Sequence, residues 1–197
     1  MDILRLQKQL DFIKEIDKTK QILRNTILMD ASRRENDAEH TWHMAVCAML
    51  FTEYSHEKNL DMLKVLKMIM LHDVVEIDAG DTFAYDIQAH EDKAVRENKA
   101  AQRIFGLLPD DQKEEFISLW REFEDYLTPE AKYAHLVDTF MPIYHNYSTK
   151  GLQWQKLNVT AARVLERNKH IQQGSPVIWA YVEAMVKDAV DKGYLKP

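Results

Sequence analysis

Apolar residues recur along this chain at helical spacing, with short polar segments between the helical stretches. Leu6, Leu10, Ile13 and Ile16, for example, mark one face of a first amphipathic helix. The same pattern predicts further helices at residues 37–55, 60–77, 91–105, 110–126, from 129 past 138, 159–172 and 175–192. The polar residues 24–36 and 81–89 are predicted to be loops. About eight helices with no convincing strand predict an all-α fold, a single helical bundle.

Capping residues set several of the predicted helix ends. Asp37 is predicted to be the N-cap of the second helix, and Gly80 to end the third helix in a left-handed conformation. Residues 128–129 (Thr-Pro) and 175–176 (Ser-Pro) each place an N-cap before a proline in the first helical position. These signals divide the chain into helices without a long linker.

The composition agrees with one folded helical domain. The chain has 197 residues, of which 46% are hydrophobic, and only five are Gly and five Pro. We expect a single domain over residues 1–197, with a core at about 20–145 and C-terminal helices at 151–193 packed on it. The net charge of -6 argues against binding to a nucleic acid polymer, because basic surfaces drive that binding.

Cysteine usage and hydropathy bear on the compartment. Cys47 is the one cysteine and lies in an apolar run, so we expect it to pack in the core rather than to act as a nucleophile. An internal disulfide is impossible, which fits a reducing compartment. No apolar stretch resembles a signal peptide or reaches the roughly 18 residues of a membrane span. We therefore expect a cytoplasmic protein that does not bind membranes.

Polar residues interrupt the most apolar helix of the chain. Residues 65–77 read VLKMIMLHDVVEI, a pattern typical of a buried helix, yet they include His72, Asp73 and Glu76. Buried carboxylates are costly unless they are paired or bound to a cation. The spacing allows all three side chains to serve one pocket. An amphipathic surface stripe, or a carboxylate paired with Lys or Arg, explains this stretch about equally well.

Two other predicted helices carry groups of the same chemistry. His40 lies in the first turns of the second helix, just before its apolar run, and His43 is a competing candidate. Asp138 shares the apolar face of the sixth helix, with His135 as a weaker candidate nearby. Two imidazoles and two carboxylates would suit a divalent transition metal such as Mn, Co, Fe, Ni, Zn or Cu. The absence of thiolates argues against a structural zinc site.

The order of these groups resembles the HD superfamily of metal-dependent phosphohydrolases. His40, the pair at 72–73 (His-Asp) and Asp138 match its metal-binding motif one by one. Residues 34–45 (RENDAEHTWHMA) and 72–81 (HDVVEIDAGD) look like the first two motif blocks of the branch that contains the bacterial 5'-deoxynucleotidases. The resemblance covers roughly residues 5–145.

This resemblance implies a function and a set of roles. The branch hydrolyses nucleoside 5'-monophosphates, often 2'-deoxy, with one divalent metal ion, and it is usually homodimeric. Glu76 matches its acid/base residue, Asp81 a carboxylate with a catalytic and substrate-contacting role, and Arg24 its phosphate-binding arginine. Arg33 or Arg34 could also assist the phosphate, and a solvated loop charge is at least as good an interpretation of both.

Two departures from the branch concern the sugar. Bacterial 5'-deoxynucleotidases carry an aromatic residue just after the phosphate-binding arginine, whereas residues 25–27 here read NTI. The segment at 82–86 (TFAYD) lacks the branch's usual proline-containing stretch. The sugar preference therefore does not follow from the motif.

Two alternatives to this function stay open. The first is hydrolysis of another phosphate ester, such as a nucleoside triphosphate or a cyclic phosphodiester. Only one His-Asp pair is evident, which disfavours a two-metal phosphodiesterase. The second is a helical binding or scaffold protein with a structural metal site. The presence of Glu76 and Asp81 disfavours it, because neither is needed merely to hold a metal. Trp120, Trp154 and Trp179 lie outside the motifs and are expected to pack in the core, although a dimer surface could use one of them.

Overall fold

The computed structural model describes residues 3–81 and 91–197, and most of them are helical. In chain order the elements are helix α1 (Ile3–Ile16), strands β1 (Leu23–Ile27) and β2 (Arg34–Asn36), and helices α2 (Asp37–Phe51), α3 (Met62–Leu71), α4 (Glu76–Ala79), α5 (Lys93–Phe105), α6 (Asp110–Asp125), α7 (Pro129–Ser148), α8 (Leu152–Lys156), α9 (Ala161–Asn168), α10 (Ile171–Gly174) and α11 (Pro176–Asp191). The all-α prediction is confirmed. The described residues hold more helices than the predicted eight, and several are short. The segments at 81–89 and 82–86, apart from Asp81, lie outside the described residues.

The loop prediction for residues 24–36 is wrong, because this segment forms a small antiparallel hairpin. Strand β1 pairs with β2, with Leu23 opposite Asn36 and Ile27 opposite Arg34. The strands are short and largely polar, so they lack the apolar alternation by which strands are recognised. Both arms are held by Arg34, whose guanidinium donates to the backbone carbonyls of residues 23 and 24.

The second helix begins one residue earlier than the cap prediction implied. Asn36, and not Asp37, is its N-cap: the Asn36 side chain accepts from the Glu39 backbone N–H at 3.0 Å. The Glu39 carboxylate in turn accepts from the Asn36 N–H at 3.2 Å, which completes a capping box. Asp37 is therefore free of the capping role, and its side chain is buried in the protein.

The third predicted helix is broken at its functional end. Helix α3 stops at Leu71, residues 72–75 form a 3-10 turn, and α4 resumes at Glu76. The His72 ring donates from Nδ1 to the carbonyl of Ile69, three residues earlier, at 2.7 Å. Such side-chain bonds compete with the helix ladder and accompany a tightened turn. Gly80 ends α4, as predicted, but its φ of 76° and ψ of 151° differ from the predicted left-handed cap conformation.

The core surrounds α3, which contacts α2, α6 and α7. The apolar side chains at its centre are fully buried, among them Val65, Met68 and Ile69. Helix α1 forms as predicted, but Leu6, Leu10 and Ile13 on its apolar face are exposed. Among the described residues no helix is both long and apolar enough to cross a membrane.

The C-terminal region agrees with the sequence at one helix and departs from it at another. Thr128 and Ser175 cap α7 and α11 with their side chains, each before a proline. The helix predicted at 159–172 is divided into α9 and α10, and α8 precedes them. Helix α10 packs on α7 and α11, and this packing brings α7, which carries Asp138, against the C-terminal helices.

Candidate metal centre

Five separate elements bring the predicted site residues to one cavity. Arg24 lies on β1, where the hairpin places it over the start of α2. His40 lies one turn into α2, and Asp138 lies midway along α7. The 3-10 turn carries the His72-Asp73 pair, and α4 carries Glu76. The break after α3 thus turns the polar residues of this segment towards the other elements.

The four predicted ligand groups lie within direct reach of one another. His40 Nε2 is 2.9 Å from Asp138 Oδ1, and His72 Nε2 is 3.1 Å from Asp73 Oδ1. Across the cluster, His72 Nε2 is 3.9 Å from Asp138 Oδ1, and His40 Nε2 is 4.0 Å from Asp73 Oδ2. One ligand atom from each of His40, His72 and Asp73 lies within 4.8 Å of the other two.

The imidazole orientations fit a metal ion. Because His72 Nδ1 donates to the Ile69 carbonyl, Nε2 of the neutral ring carries a lone pair that faces the carboxylates. His72 Nε2 is buried and makes no hydrogen bond, although Asp73 lies at 3.1 Å. His40 Nδ1 faces the buried carboxylate of Glu35 at 3.6 Å, so its Nε2 also points into the cluster. Metal-binding histidines are commonly oriented by such second partners.

The charge of the cavity also calls for a cation. Arg24 is the cationic side chain at its centre; Nη1 donates to Asp73 Oδ2 at 2.7 Å, lies 3.7 Å from Asp37 Oδ1, and Nη2 lies 4.0 Å from Asp138 Oδ1. Six carboxylates line the cavity, against three cationic side chains, Arg24, Lys93 and Arg167. Since buried charges need compensation, a divalent ion fits the residues that are present.

The neighbouring charges shift the pKa values of these ligand groups. Burial disfavours the protonated form of His72, but Asp73 and Asp138 outweigh burial and raise its pKa to about 9. Burial opposes ionisation of Asp73 and Asp138, yet the neighbouring imidazoles and Arg24 hold the pKa of both well below the usual range. Without an ion the histidines therefore bind protons, and a metal must compete with those protons.

Glu76 and Asp37 share the opposite shift. Burial and the charges of Asp73 and Asp37 raise the pKa of Glu76 well above its usual value. Burial and Asp73 raise the pKa of Asp37 to about 7. Glu76 Oε2 and both Asp37 oxygens are buried without a hydrogen bond. Sequence reasoning assigned Asp37 to a cap and so missed that it clusters with Asp73 and Glu76.

The cavity has a volume of about 330 Å³. Arg24, Asn25 and Asp81 line this cavity beside the predicted metal ligands. Burial raises the pKa of Asp81, while Arg24 opposes that shift. The far wall comes from the C-terminal helices, and Trp154, expected only to pack in the core, is both buried and part of this lining.

The competing candidates are engaged by other groups. His135 lines the cavity, but it donates from Nε2 to the Phe123 carbonyl at 2.8 Å and stacks on the Phe123 ring, so this nitrogen is not available to the cluster. Arg33 pairs with Glu39 on the surface, and Arg34 holds the hairpin. His43 faces away from the cavity, towards Glu35 and His145. These two residues are 110 positions apart in sequence, so no local pattern could have joined them.

Comparison with known proteins places these features in a family. The model of the HD domain family matches residues 16–179 of the chain. A 5'-deoxynucleotidase HDDC2 from Xenopus laevis is 32% identical over 130 residues, which cover 66% of this chain and 63% of that protein. Human 5'-deoxynucleotidase HDDC2 is 31% identical over 138 residues, covering 70% and 62%. The chain thus spans less than two thirds of the length of these curated relatives.

Solved structures agree in fold. A crystal structure from Magnetospirillum magnetotacticum MS-1, called a predicted metal-dependent phosphohydrolase, is 48% identical with a TM-score of 0.93, covering 98% of this chain and 96% of that one. An HD-domain phosphohydrolase from Listeria innocua has a TM-score of 0.63, covering 95% and 92%. At 17% identity the second likeness concerns the fold alone.

Proposed function

Because this chain belongs to the HD domain family, we propose that it is a metal-dependent phosphohydrolase that removes phosphate from nucleoside 5'-monophosphates, including 2'-deoxynucleotides. The observation that carries the proposal is the meeting of His40, His72, Asp73 and Asp138 beside Arg24 in one cavity. The similarity to 5'-deoxynucleotidases supports the substrate class.

We propose that these four residues hold one divalent ion. When bound, such an ion supplies positive charge next to the phosphate and lowers the pKa of a water molecule. The mixed nitrogen and oxygen donors suit a transition metal. His72 is held in position by the Ile69 carbonyl, and His40 by its place against Glu35, so neither ring needs to reorient.

Arg24 is proposed to bind the phosphate. Its side chain is only 13% exposed, and its guanidinium is fixed at the cavity wall by Asp73. Burial disfavours its charge, but the surrounding carboxylates raise the pKa of Arg24, so it stays cationic. A planar guanidinium offers parallel N–H donors that match phosphate oxygens. Its charge also offsets the repulsion between an anionic substrate and this acidic cavity.

Glu76 is proposed to transfer a proton during hydrolysis. It lies one helical turn beyond the His72-Asp73 pair and faces the same cavity. Its Oε2 has no hydrogen-bond partner, so the carboxyl group is available to a water molecule or to the leaving hydroxyl. Asp81, on the same wall, is proposed to contact the substrate.

The proposal is tested by phosphate release from a substrate panel with added Mn²⁺ or Co²⁺. Deoxyadenosine and adenosine 5'-monophosphates should be hydrolysed faster than the corresponding 3'-monophosphates and triphosphates. An Asp138→Asn variant, purified in parallel, measures contaminating phosphatases. Equal or faster hydrolysis of triphosphates or of a cyclic phosphodiester would assign the site to another ester. No turnover of any phosphate ester, with the ion bound, would favour a scaffold.

A further inference from the structure

We propose a second cation site, formed by Glu35, His43 and His145, behind the cavity described above. One ligand atom from each of the three residues lies within 4.8 Å of the others. They come from β2, α2 and α7, three elements that are far apart in sequence. This site goes beyond the proposed function, which uses none of the three as a ligand.

His145 is oriented as a metal ligand. Its Nδ1 donates to the backbone carbonyl of Ile27 at 2.9 Å, so Nε2 of the neutral ring carries the lone pair. The side chain is only 2% exposed, and Nε2 is buried with no hydrogen-bond partner. An unpartnered buried nitrogen is costly in a folded protein, and here it points at a carboxylate.

Glu35 supplies the charge. Its Oε1 lies 3.8 Å from His145 Nε2, which is too long for a hydrogen bond. Ligand bonds of roughly 2.1 Å at a tetrahedral ion separate two ligand atoms by about 3.4 Å, close to the distance seen.

Arg24 and His40 lie near this carboxylate but form no hydrogen bond with it. Arg24 Nε is 3.9 Å away and its Nη1 is bonded to Asp73. His40 Nδ1 is 3.6 Å away and makes no hydrogen bond. Both approach Oε2 of Glu35, whereas His145 approaches Oε1. Oε1 therefore remains available on the side that faces the two histidines.

His43 completes the set. Its ring centroid lies 5.6 Å from that of His145, with 66° between the ring planes, and the side chain is partly exposed beside Trp42. Two imidazoles and one carboxylate, with a fourth position open to solvent, are a donor set that suits Zn²⁺ or Co²⁺. An ion here would tie the hairpin that carries Arg24 to helices α2 and α7.

The test counts zinc bound by the full chain after chelation, reloading with Zn²⁺ and gel filtration. Four proteins are compared: the wild type, His43→Gln, His72→Gln and His170→Gln. His170 bonds Thr139 outside both clusters and controls for loss of any histidine. His145→Gln provides a second disruption of the new site in case His43→Gln does not fold, which far-UV circular dichroism reports.

We expect two ions per chain in the wild type and in His170→Gln, and one in each of the other variants. Loading the His72→Gln protein with Co²⁺ should still give the visible absorption of a tetrahedral site, and His43→Gln/His72→Gln should lose it. One ion in the wild type, kept in folded His43→Gln, would overturn the second site while leaving the first intact. Two ions in both folded His43→Gln and His145→Gln would overturn it equally.

Discussion

Two adjacent parts of one buried segment differ sharply. Helix α3, residues 62–71, is regular and apolar, with Val65, Met68 and Ile69 fully buried. The next residues, 72–76, are nearly as deep but carry two carboxylates and an imidazole. Residues 72–75 leave α-helical geometry for a 3-10 turn before α4 begins at Glu76. The first part buries apolar side chains, as packing favours, whereas the second places ionisable side chains at the cavity.

The difference shows how the fold supports the site. Burying each large apolar side chain of α3 contributes about 1.5–3 kcal/mol to folding. Burying ionisable groups opposes folding unless a cation or a partner compensates. Substitutions in the first part should therefore change stability, and substitutions in the second should change ion binding and turnover.

The largest expected effect comes from the polar part. His72→Ala removes a ligand atom, so bound metal should be lost from the first site and phosphate release should fall to background. Metal analysis and turnover on the same preparation check this. A His72→Ala protein that retains wild-type rate would mean that His72 is not a ligand.

The Glu76 side chain should affect turnover without affecting the ion. Glu76→Gln keeps shape and hydrogen bonding but cannot exchange a proton, so kcat should fall by roughly 10²–10⁴-fold with metal content unchanged. Metal content, melting temperature and kcat measured together distinguish the roles. Loss of metal would make Glu76 a ligand, loss of stability alone would make it structural, and full activity would remove its acid/base role.

The apolar part should show the reverse behaviour. Ile69→Ala creates a cavity beside the site and should lower the free energy of unfolding by about 2–5 kcal/mol. The folded variant should still bind its ion, because the Ile69 carbonyl that orients His72 belongs to the backbone. Denaturant unfolding and metal analysis provide the check. Loss of the ion from fully folded Ile69→Ala would contradict a division of roles between the two parts.

The smallest effect is a pH dependence of the chelated protein. The folded pKa of His72, about 9, is above its unfolded value of 6.5. The stabilisation that protonated His72 gives the folded state is fully present below about pH 6.5 and is lost as the pH rises through 9. The metal-free wild type should lose up to about 3 kcal/mol of stability over that range. His72→Gln serves as the control and should be flatter. A flat profile for the chelated wild type would refute the shift.

Much of the difference between these two parts could be predicted from the sequence. Polar residues inside an apolar run predicted His72, Asp73 and Glu76 as candidate site residues, and the same argument predicted Asp138 on α7. Capping signals located the starts of α7 and α11 because a side-chain acceptor before proline acts locally. Such local interactions do not depend on tertiary contacts, so the sequence alone predicts them.

Other features depend on contacts that no local pattern reports. The β1–β2 hairpin is short and polar, so its strands resemble a loop. The 3-10 turn depends on where the His72 ring finds its acceptor, and the exposure of Leu6 on α1 depends on which helices pack against it. Glu35 and His145 meet only through the tertiary fold.

The central claim is that the ion held by His40, His72, Asp73 and Asp138 makes this cavity a nucleoside 5'-monophosphate hydrolase. The most direct measurement is phosphate release from deoxyadenosine 5'-monophosphate by chelated protein titrated with Co²⁺, alongside Asp138→Asn. We predict no turnover without the ion, a rise to saturation in the wild type, and none in the variant. Full turnover by metal-free protein, or equal rescue of Asp138→Asn, would contradict the claim.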